Sequence, residues 1–165
     1  MEMFSRLICS GNQADSLPEL MDTILDQVIL LLGFDMAAIY LLDSDFQQMT
    51  IKAHKGASKM FLRQAGSIST ADPPFVQVLS SSQSLFVDHF HKERPQMAKT
   101  MNWQAAACVP LVCEGLIIGT LNVASCQRSH FAETERDTLD LIGKEAGTLI
   151  SKLQTETALR ESEQY

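Results

Sequence analysis

The sequence predicts an α+β fold organised on antiparallel strands, and two observations carry that reading. Residues Ala105 to Ser125 (AAACVPLVCEGLIIGTLNVAS) hold two runs rich in Val, Ile and Leu around Glu114-Gly115, a two-residue turn in which Gly takes the positive φ that tight hairpins demand. Ser16 to Gly33 and Thr134 to Leu153 carry apolar residues at helical spacing, one on each side of the strand-rich middle.

With Glu114 and Gly115 as the loop, the hairpin register places Cys113 opposite Leu116, Leu111 opposite Ile118, Pro110 opposite Gly119 and Cys108 opposite Leu121. Pro110 then falls at a non-hydrogen-bonded pair, where its missing N–H costs the ladder nothing. Alternation puts Cys108, Pro110, Val112, Ile117, Gly119, Leu121 and Val123 on one face and Val109, Leu111, Cys113, Leu116, Ile118, Thr120 and Asn122 on the other. Both faces are largely apolar, so both need cover: helices on one, a lid or ligand pocket on the other. The face with Thr120 and Asn122 is assigned to the pocket.

Along the chain, Phe4, Leu7 and Ile8 suggest a short amphipathic turn before a polar break from Ser10 to Asp15. Ser16, or Asp15 before it, caps the first strong helix, with Pro18 in its first turn and Glu19 at the positive end of its dipole. Leu20, Met21, Ile24, Leu25, Val28, Leu31 and Leu32 form its apolar stripe and Gly33 stops it. Met36 to Leu42 (MAAIYLL) and Met49 to His54 (MTIKAH) read as strands joined by the polar turn DSDFQQ, the second ended by Lys55-Gly56. Two short helical patterns follow, SKMFLRQA and, after Asp72-Pro73-Pro74, FVQVLSSS, which suit a lid. Leu85 to Phe90 reads as a third short strand, and His91 to Asn102 is polar and Met-containing.

Beyond the hairpin, Thr134 or Ser129 caps the last helix, with Glu133 and Glu135 near its positive end. Leu139, Ile142, Ala146, Leu149 and Leu153 repeat at alternating three- and four-residue steps, a heptad seam. Leu153 to Tyr165 turns polar with no Gly or Pro stop, so the helix is expected to run on toward a further domain. The expected division is an extension or linker helix over 1–15, a sensory domain over 16–153 and a helical linker over 154–165.

Composition narrows the function classes. A chain of 165 residues with 45% hydrophobic content suits one domain with a sizeable core. Its 13 Lys and Arg against 20 Asp and Glu give a net charge of −7, which disfavours nucleic acid and anionic membranes as partners. No apolar run approaches the roughly 20 residues needed to span a bilayer, and MEMFSRLICSGNQ lacks the basic head and apolar centre of a signal peptide, so a cytoplasmic location is expected. The four cysteines show neither CxxC nor zinc spacing, and none lies opposite another in the hairpin register, which points to reduced, largely buried thiols.

The order helix, strand, strand, lid helices, strand, hairpin, long helix resembles the GAF family of small sensory domains. The resemblance covers nearly the whole chain and is carried by GFDMAAIYLLD, IKAHKG, SLFVDHF, ACVPLVCEGLIIGTLNVAS and HFAETERDTLDLIGKEAG. It implies an antiparallel sheet with the N- and C-terminal helices on one face and lid helices over a pocket on the other. It also implies an input module of a signalling protein such as a sensor histidine kinase, dimeric through helices 16–32 and 134–160. The exit LRESEQY looks like the linker that often precedes a PAS domain or kinase segment.

Particular GAF chemistries can be weighed residue by residue. Cyclic-nucleotide-binding members are matched at Asn122 and Phe131, but Val123 stands where they carry Lys, and Glu135-Arg136 where they carry an acidic pair. Bilin-binding members use a Cys beside a His in the lid, and Ala57 to Gln104 contains no Cys. Free methionine sulfoxide reductases of this fold place reactive cysteines ahead of the hairpin and two carboxylates at its end. Here the first Cys of that region is Cys108, inside the strand, and Asn122 and Ala124 hold the acidic positions.

For haem, His89 and His91 flank Phe90 near the lid, His54 ends a strand and His130 precedes the last helix; isolated histidines beside loops are more often solvated. The sequence therefore names no cofactor. Met60, Phe75, Leu79, Met97, Met101 and Trp103, with Phe61, are candidates to line an adaptable apolar cavity, joined by His89, Thr120 and Asn122. No phosphate loop, metal triad or nucleophile–base pair has credible spacing, so a non-catalytic binding module is expected, with a ligand-free dimerisation or spacer domain as the first alternative and a methionine-sulfoxide-reductase-like enzyme as the second.

Overall fold

The computed structural model describes residues 16–163; the expected turn at Phe4, Leu7 and Ile8 lies outside them. The elements in order are α1 (Leu17–Leu32), β1 (Met36–Leu42), β2 (Gln48–Lys55), α2 (Lys59–Ala65), β3 (Ser67–Ser69), α3 (Phe75–Ser81), β4 (Leu85–Val87), α4 (Phe90–Glu93), α5 (Pro95–Met101), β5 (Ala105–Cys113), β6 (Leu116–Ser125) and α6 (Glu133–Glu163). The six strands form one sheet in the order β3-β2-β1-β6-β5-β4, each pair antiparallel. This is an α+β fold with the two terminal helices on one face and four short helices on the other.

Local chemistry explains α1. The Ser16 hydroxyl accepts from the Glu19 N–H at 3.3 Å, a proline occupies the first turn, and Gly33 closes the helix at φ 74°, its N–H bonded to the Ile29 carbonyl at 2.9 Å. Leu20, Met21, Ile24, Leu25 and Val28 face the sheet, where they meet Ala37, Ile39, Leu41, Val109, Leu111, Leu121 and Val123 in the main core.

The hairpin register departs from the expected one. Cys113 does pair with Leu116 across a turn in which Glu114 (φ 52°) and Gly115 (φ 79°) are both left-handed. A bulge between Leu111 and Val112 then makes Ile118 an extra residue, so Leu111 pairs with Gly119, Pro110 with Thr120, Val109 with Leu121 and Cys108 with Asn122. One residue of slip turns a strand's side chains over. Val109 and Leu111 therefore join Leu121 and Val123 under the terminal helices, and Cys108 joins the face of Asn122 under the lid.

Helix α6 also corrects two expectations. It starts at Glu133, so Thr134 lies within the helix and neither it nor Ser129 caps it; Glu135 instead reaches back to accept from the Ala132 N–H at 2.9 Å. The expected heptad seam packs on the chain's own sheet. Leu139, Ile142, Ala146, Ile150 and Leu153 are all in the main core while Leu149 is only partly buried, the 3.6-residue phase of a straight helix lying on a sheet. Gly143 and Gly147 let it lie close: a Cβ on Gly147 would stand 2.3 Å from the Val112 nitrogen, and one on Gly143 2.5 Å from the Pro110 oxygen.

The other face carries a smaller core of Met36, Ala38, Tyr40, Met49, Phe61, Ala65, Phe75, Val78, Cys108 and Ala124. The strand expected over Leu85 to Phe90 ends at Val87, because Asp88 turns away to bond the connection into α6, and His89 (φ 50°) starts α4. Elements β3, α4 and α5, of three to seven residues, are too short to leave a periodic signal.

Candidate functional site

Between the lid face of the sheet and the short helices lies a cavity of about 230 Å³. Its floor is Met36 and Tyr40 of β1, Ala106 and Cys108 of β5 and Asn122 of β6; Phe61 and Ala65 of α2, Phe75 of α3, and Phe90, Met97 and Trp103 make its walls. The rings hold one another in place edge to face: Tyr40 and Phe75 at 4.9 Å between centroids, Phe61 and Trp103 at 5.3 Å, Phe90 and Trp103 at 5.8 Å. Glu93, Arg94 and Gln77, all exposed, add polar groups to this lining.

The floor is polar at one place. Thr120 donates to the Asn122 Oδ1 at 2.7 Å and the Cys108 thiol donates to the same oxygen at 3.6 Å. Thr120 and Cys108 are buried, and no fully buried side-chain nitrogen or oxygen among the described residues lacks a partner. Burial pushes the Cys108 thiol up to about 12, so it stays protonated at neutral pH. Burial likewise raises Tyr40 well above the ordinary phenol range, with Cys108 adding a smaller push; its hydroxyl donates to the Ala65 carbonyl at 2.6 Å and ties α2 to β1.

Of the residues expected at the site from sequence, the structure brings Phe61, Phe75, Met97, Trp103 and Asn122 together around the cavity. Thr120 stands one layer behind, positioning Asn122. Leu79 and Met101 pack against the lid-side core away from the lining, and the Met101 sulfur accepts from the Ser58 hydroxyl at 3.8 Å. Met60 is 45% exposed on the outer side of α2, and His89 is an exposed residue at the start of α4. None of the four histidines lines the cavity.

Sequence reasoning missed Tyr40, Cys108, Phe90, Glu93 and Arg94 as cavity residues. Among the described residues no group of three or more His, Cys, Asp and Glu is placed to hold a metal ion. No described helix is long and apolar enough to cross a membrane.

The segments that lead from the lid helices into and out of β4 are bonded to the long terminal helix. Ser84, just before β4, donates to the Asp140 carboxylate, and Asp88, just after it, pairs with Arg136 at 2.6 Å and accepts from the Phe131 N–H at 2.9 Å. Arg136 and Asp140 are one turn apart on α6. Nearby, the Arg128 guanidinium bonds the Leu32 carbonyl at the end of α1 and the Glu135 carboxylate in the first turn of α6, and lies 4.5 Å over the Phe34 ring.

A six-stranded antiparallel sheet, terminal helices on one face and a lidded cavity on the other define the GAF fold, and the comparisons with known proteins agree. A GAF-domain family model matches residues 14–151, and the chain belongs to that family of regulatory and sensory modules. Among solved structures it is similar to the GAF domain of an Acinetobacter phosphoenolpyruvate-protein phosphotransferase, at 19% identity and TM-score 0.78 over 93% of each chain. It is also similar to a domain of a putative two-component sensor histidine kinase from Sinorhizobium meliloti, at 23% identity and TM-score 0.73 over 89% of this chain and 99% of that one. A free methionine-R-sulfoxide reductase from Neisseria meningitidis aligns at 15% identity and TM-score 0.79 over 94% of this chain and 90% of that one. At such identities the likeness is one of fold. No curated protein matches the chain.

Proposed function

We propose that this GAF domain is a non-catalytic sensory module of a cytoplasmic signal-transduction protein, which takes a small molecule into the lid cavity and passes its occupancy to α6. The observation that carries the reading is the pair of bonds on either side of β4. Residues 90 and 94 line the cavity, Asp88 is two residues before the first of them, and both Asp88 and Ser84 are held by successive turns of α6. A shift of the lid on binding therefore reaches α6 through two short polar links, whereas the rest of α6 rests on the opposite face of the sheet.

The same reading has residues 154–163 act as a helical linker toward a downstream kinase or PAS domain, and the domain dimerise through helices 16–32 and 134–160. Because the Leu139 to Leu153 stripe is buried within the monomer, the dimer contact falls to outward residues of the same helices. Leu30, Leu141 and Leu159, 77%, 45% and 59% exposed, support it. A reductase is disfavoured because the thiol lining the cavity, Cys108, is a buried, protonated side chain with a poor prospect of acting as a nucleophile.

Hydrogen exchange of the protein, with and without a cavity ligand found by thermal shift, tests transmission. Added protection in α4 and in the first two turns of α6 is expected, with the α6 part lost in Asp88→Asn. Ligand protection confined to the lid in both proteins would refute it. The absence of any stabilising ligand would favour the spacer alternative.

A further inference from the structure

We propose that the lid cavity is shaped for an uncharged, planar, single-ring molecule that presents a hydrogen-bond acceptor to the side-chain amide of Asn122. The inference rests on the reading of the cavity as a ligand site and names the chemistry of its occupant.

Size sets the first limit. A cavity of about 150 Å³ lined by aliphatic and aromatic groups holds benzene, so the enclosed part here, about 230 Å³, suits one ring with a substituent. Shape sets the second. Tyr40, Phe61, Phe75, Phe90 and Trp103 all border the space and are braced edge to face, which leaves ring faces and edges to grip a flat guest.

Polarity sets the third. Asn122 Oδ1 already accepts from both Thr120 and Cys108, which fill its two lone pairs and fix the amide's orientation. The Nδ2 group has no partner among the described residues, so the floor offers donors without competing acceptors from its own side chain. Asn122 is only partly buried, so this N–H is accessible from the aromatic-walled space and suits an acceptor such as a carbonyl or ring nitrogen. A charge at that depth is disfavoured, since the neighbouring Tyr40 and Cys108 are buried neutral groups and no cation stands on the floor to meet an anion. The charged side chains in the lining, Glu93 and Arg94, are exposed and of opposite sign, so they add no net preference.

Three probes of nine heavy atoms each separate the terms: acetophenone (neutral, with an acceptor), cumene (neutral, without one) and benzoate (anionic). Titrations of the ¹⁵N-labelled protein at pH 7 would follow the Asn122 side-chain NH₂ signals and yield Kd values. Acetophenone is expected to bind at least about fivefold tighter than cumene, the worth of one net hydrogen bond, and tighter than benzoate, with a downfield shift of one Asn122 amide proton.

In Asn122→Leu, checked for folding by circular dichroism, cumene should equal or exceed acetophenone. Equal affinity of acetophenone and cumene for the unmutated protein, or a preference for benzoate, would overturn the proposed ligand class while leaving the cavity a ligand site. Failure of all three to bind at millimolar concentration would overturn both.

Discussion

Replacing Gly147 by Ala tests how α6 is seated on the sheet, and the two opposing effects can be weighed. On an exposed helix surface the change would stabilise by about 1 kcal/mol, the difference in helix propensity between the two residues. Here the new Cβ would lie 2.3 Å from the Val112 nitrogen, 2.4 Å from the Val112 oxygen and 2.8 Å from the Leu111 carbonyl carbon. These are backbone atoms of β5, paired to β6 on one side, so they cannot swing aside as a side chain tip would. Relief requires α6 to rise by roughly 1 Å, which loosens the contacts of Ala146, Ile150 and Leu139 with the core; overpacking of this kind costs about 1–3 kcal/mol or more.

With three backbone atoms inside 3 Å the overpacking falls in the upper part of that range, about 2–3 kcal/mol, so the expected net effect is destabilisation by about 1–2 kcal/mol, or a fall in Tm of roughly 2–8 °C for a domain of this size. Urea denaturation followed by circular dichroism gives the number. A neutral or stabilising Gly147→Ala would mean that α6 does not rest on β5 at this distance, and with it would fall the argument that α6 is clamped to the sheet by its small residues.

Two further outcomes follow from the same structure. The Cys108 thiol ionises at about 12 in the folded protein against 9.0 as a free group, so its contribution to stability is fully present below pH 9 and is lost as pH rises toward 12. Unfolding measured from pH 8 to 11 should show this loss, reduced in Cys108→Ala, and iodoacetamide at pH 8 should leave Cys108 unmodified until denaturant is added. Arg128→Ala should cost about 2–3 kcal/mol, because it removes the group that bonds the end of α1 and the first turn of α6 together, and Arg128→Lys should recover less than half, since an ammonium lacks the planar fork that reaches a carbonyl and a carboxylate at once; chemical denaturation of both variants decides it.

What the sequence revealed and what it hid can be traced to particular residues. Helix α1 was legible because Ser16, Pro18 and Gly33 each carry a local rule and enclose a helical stripe. The hairpin turn was legible for the same reason, but its bulge was not. Because Val109, Leu111, Cys108 and Pro110 are all apolar enough for either side of a sheet covered on both faces, slipping the register by one residue left no visible flaw in the pattern. Phe61, Phe75, Met97 and Trp103 are legible as cavity candidates by side-chain type, and Asn122 as a polar residue on an otherwise apolar strand. Tyr40 was hidden inside MAAIYLL, where burial is continuous and alternation is silent. Met60 was chosen for its chemistry, yet in the seven residues of α2 the buried pair is Phe61 and Ala65, a phase too brief to read in advance.

The two faces of the sheet differ in how firmly they are held, and that difference locates the moving part. On the helix side, long elements bury an unbroken apolar core, and Gly143 and Gly147 bring α6 against the β5 backbone. On the lid side, helices of four to seven residues enclose a cavity and bury few groups of their own, as expected of the segment that opens and closes at least cost. On the proposed sensory reading, a ligand that orders the lid would act on the softer face. The helix-side core is too tightly packed to follow by repacking, so on that reading displacement would be confined to where the segments flanking β4 meet α6, at Ser84–Asp140 and Asp88–Arg136. Both links sit in the first two turns of a 31-residue helix whose far end extends past the sheet. On that reading a small rotation imposed there would be carried along the helix to residues beyond Leu153, where no sheet opposes it.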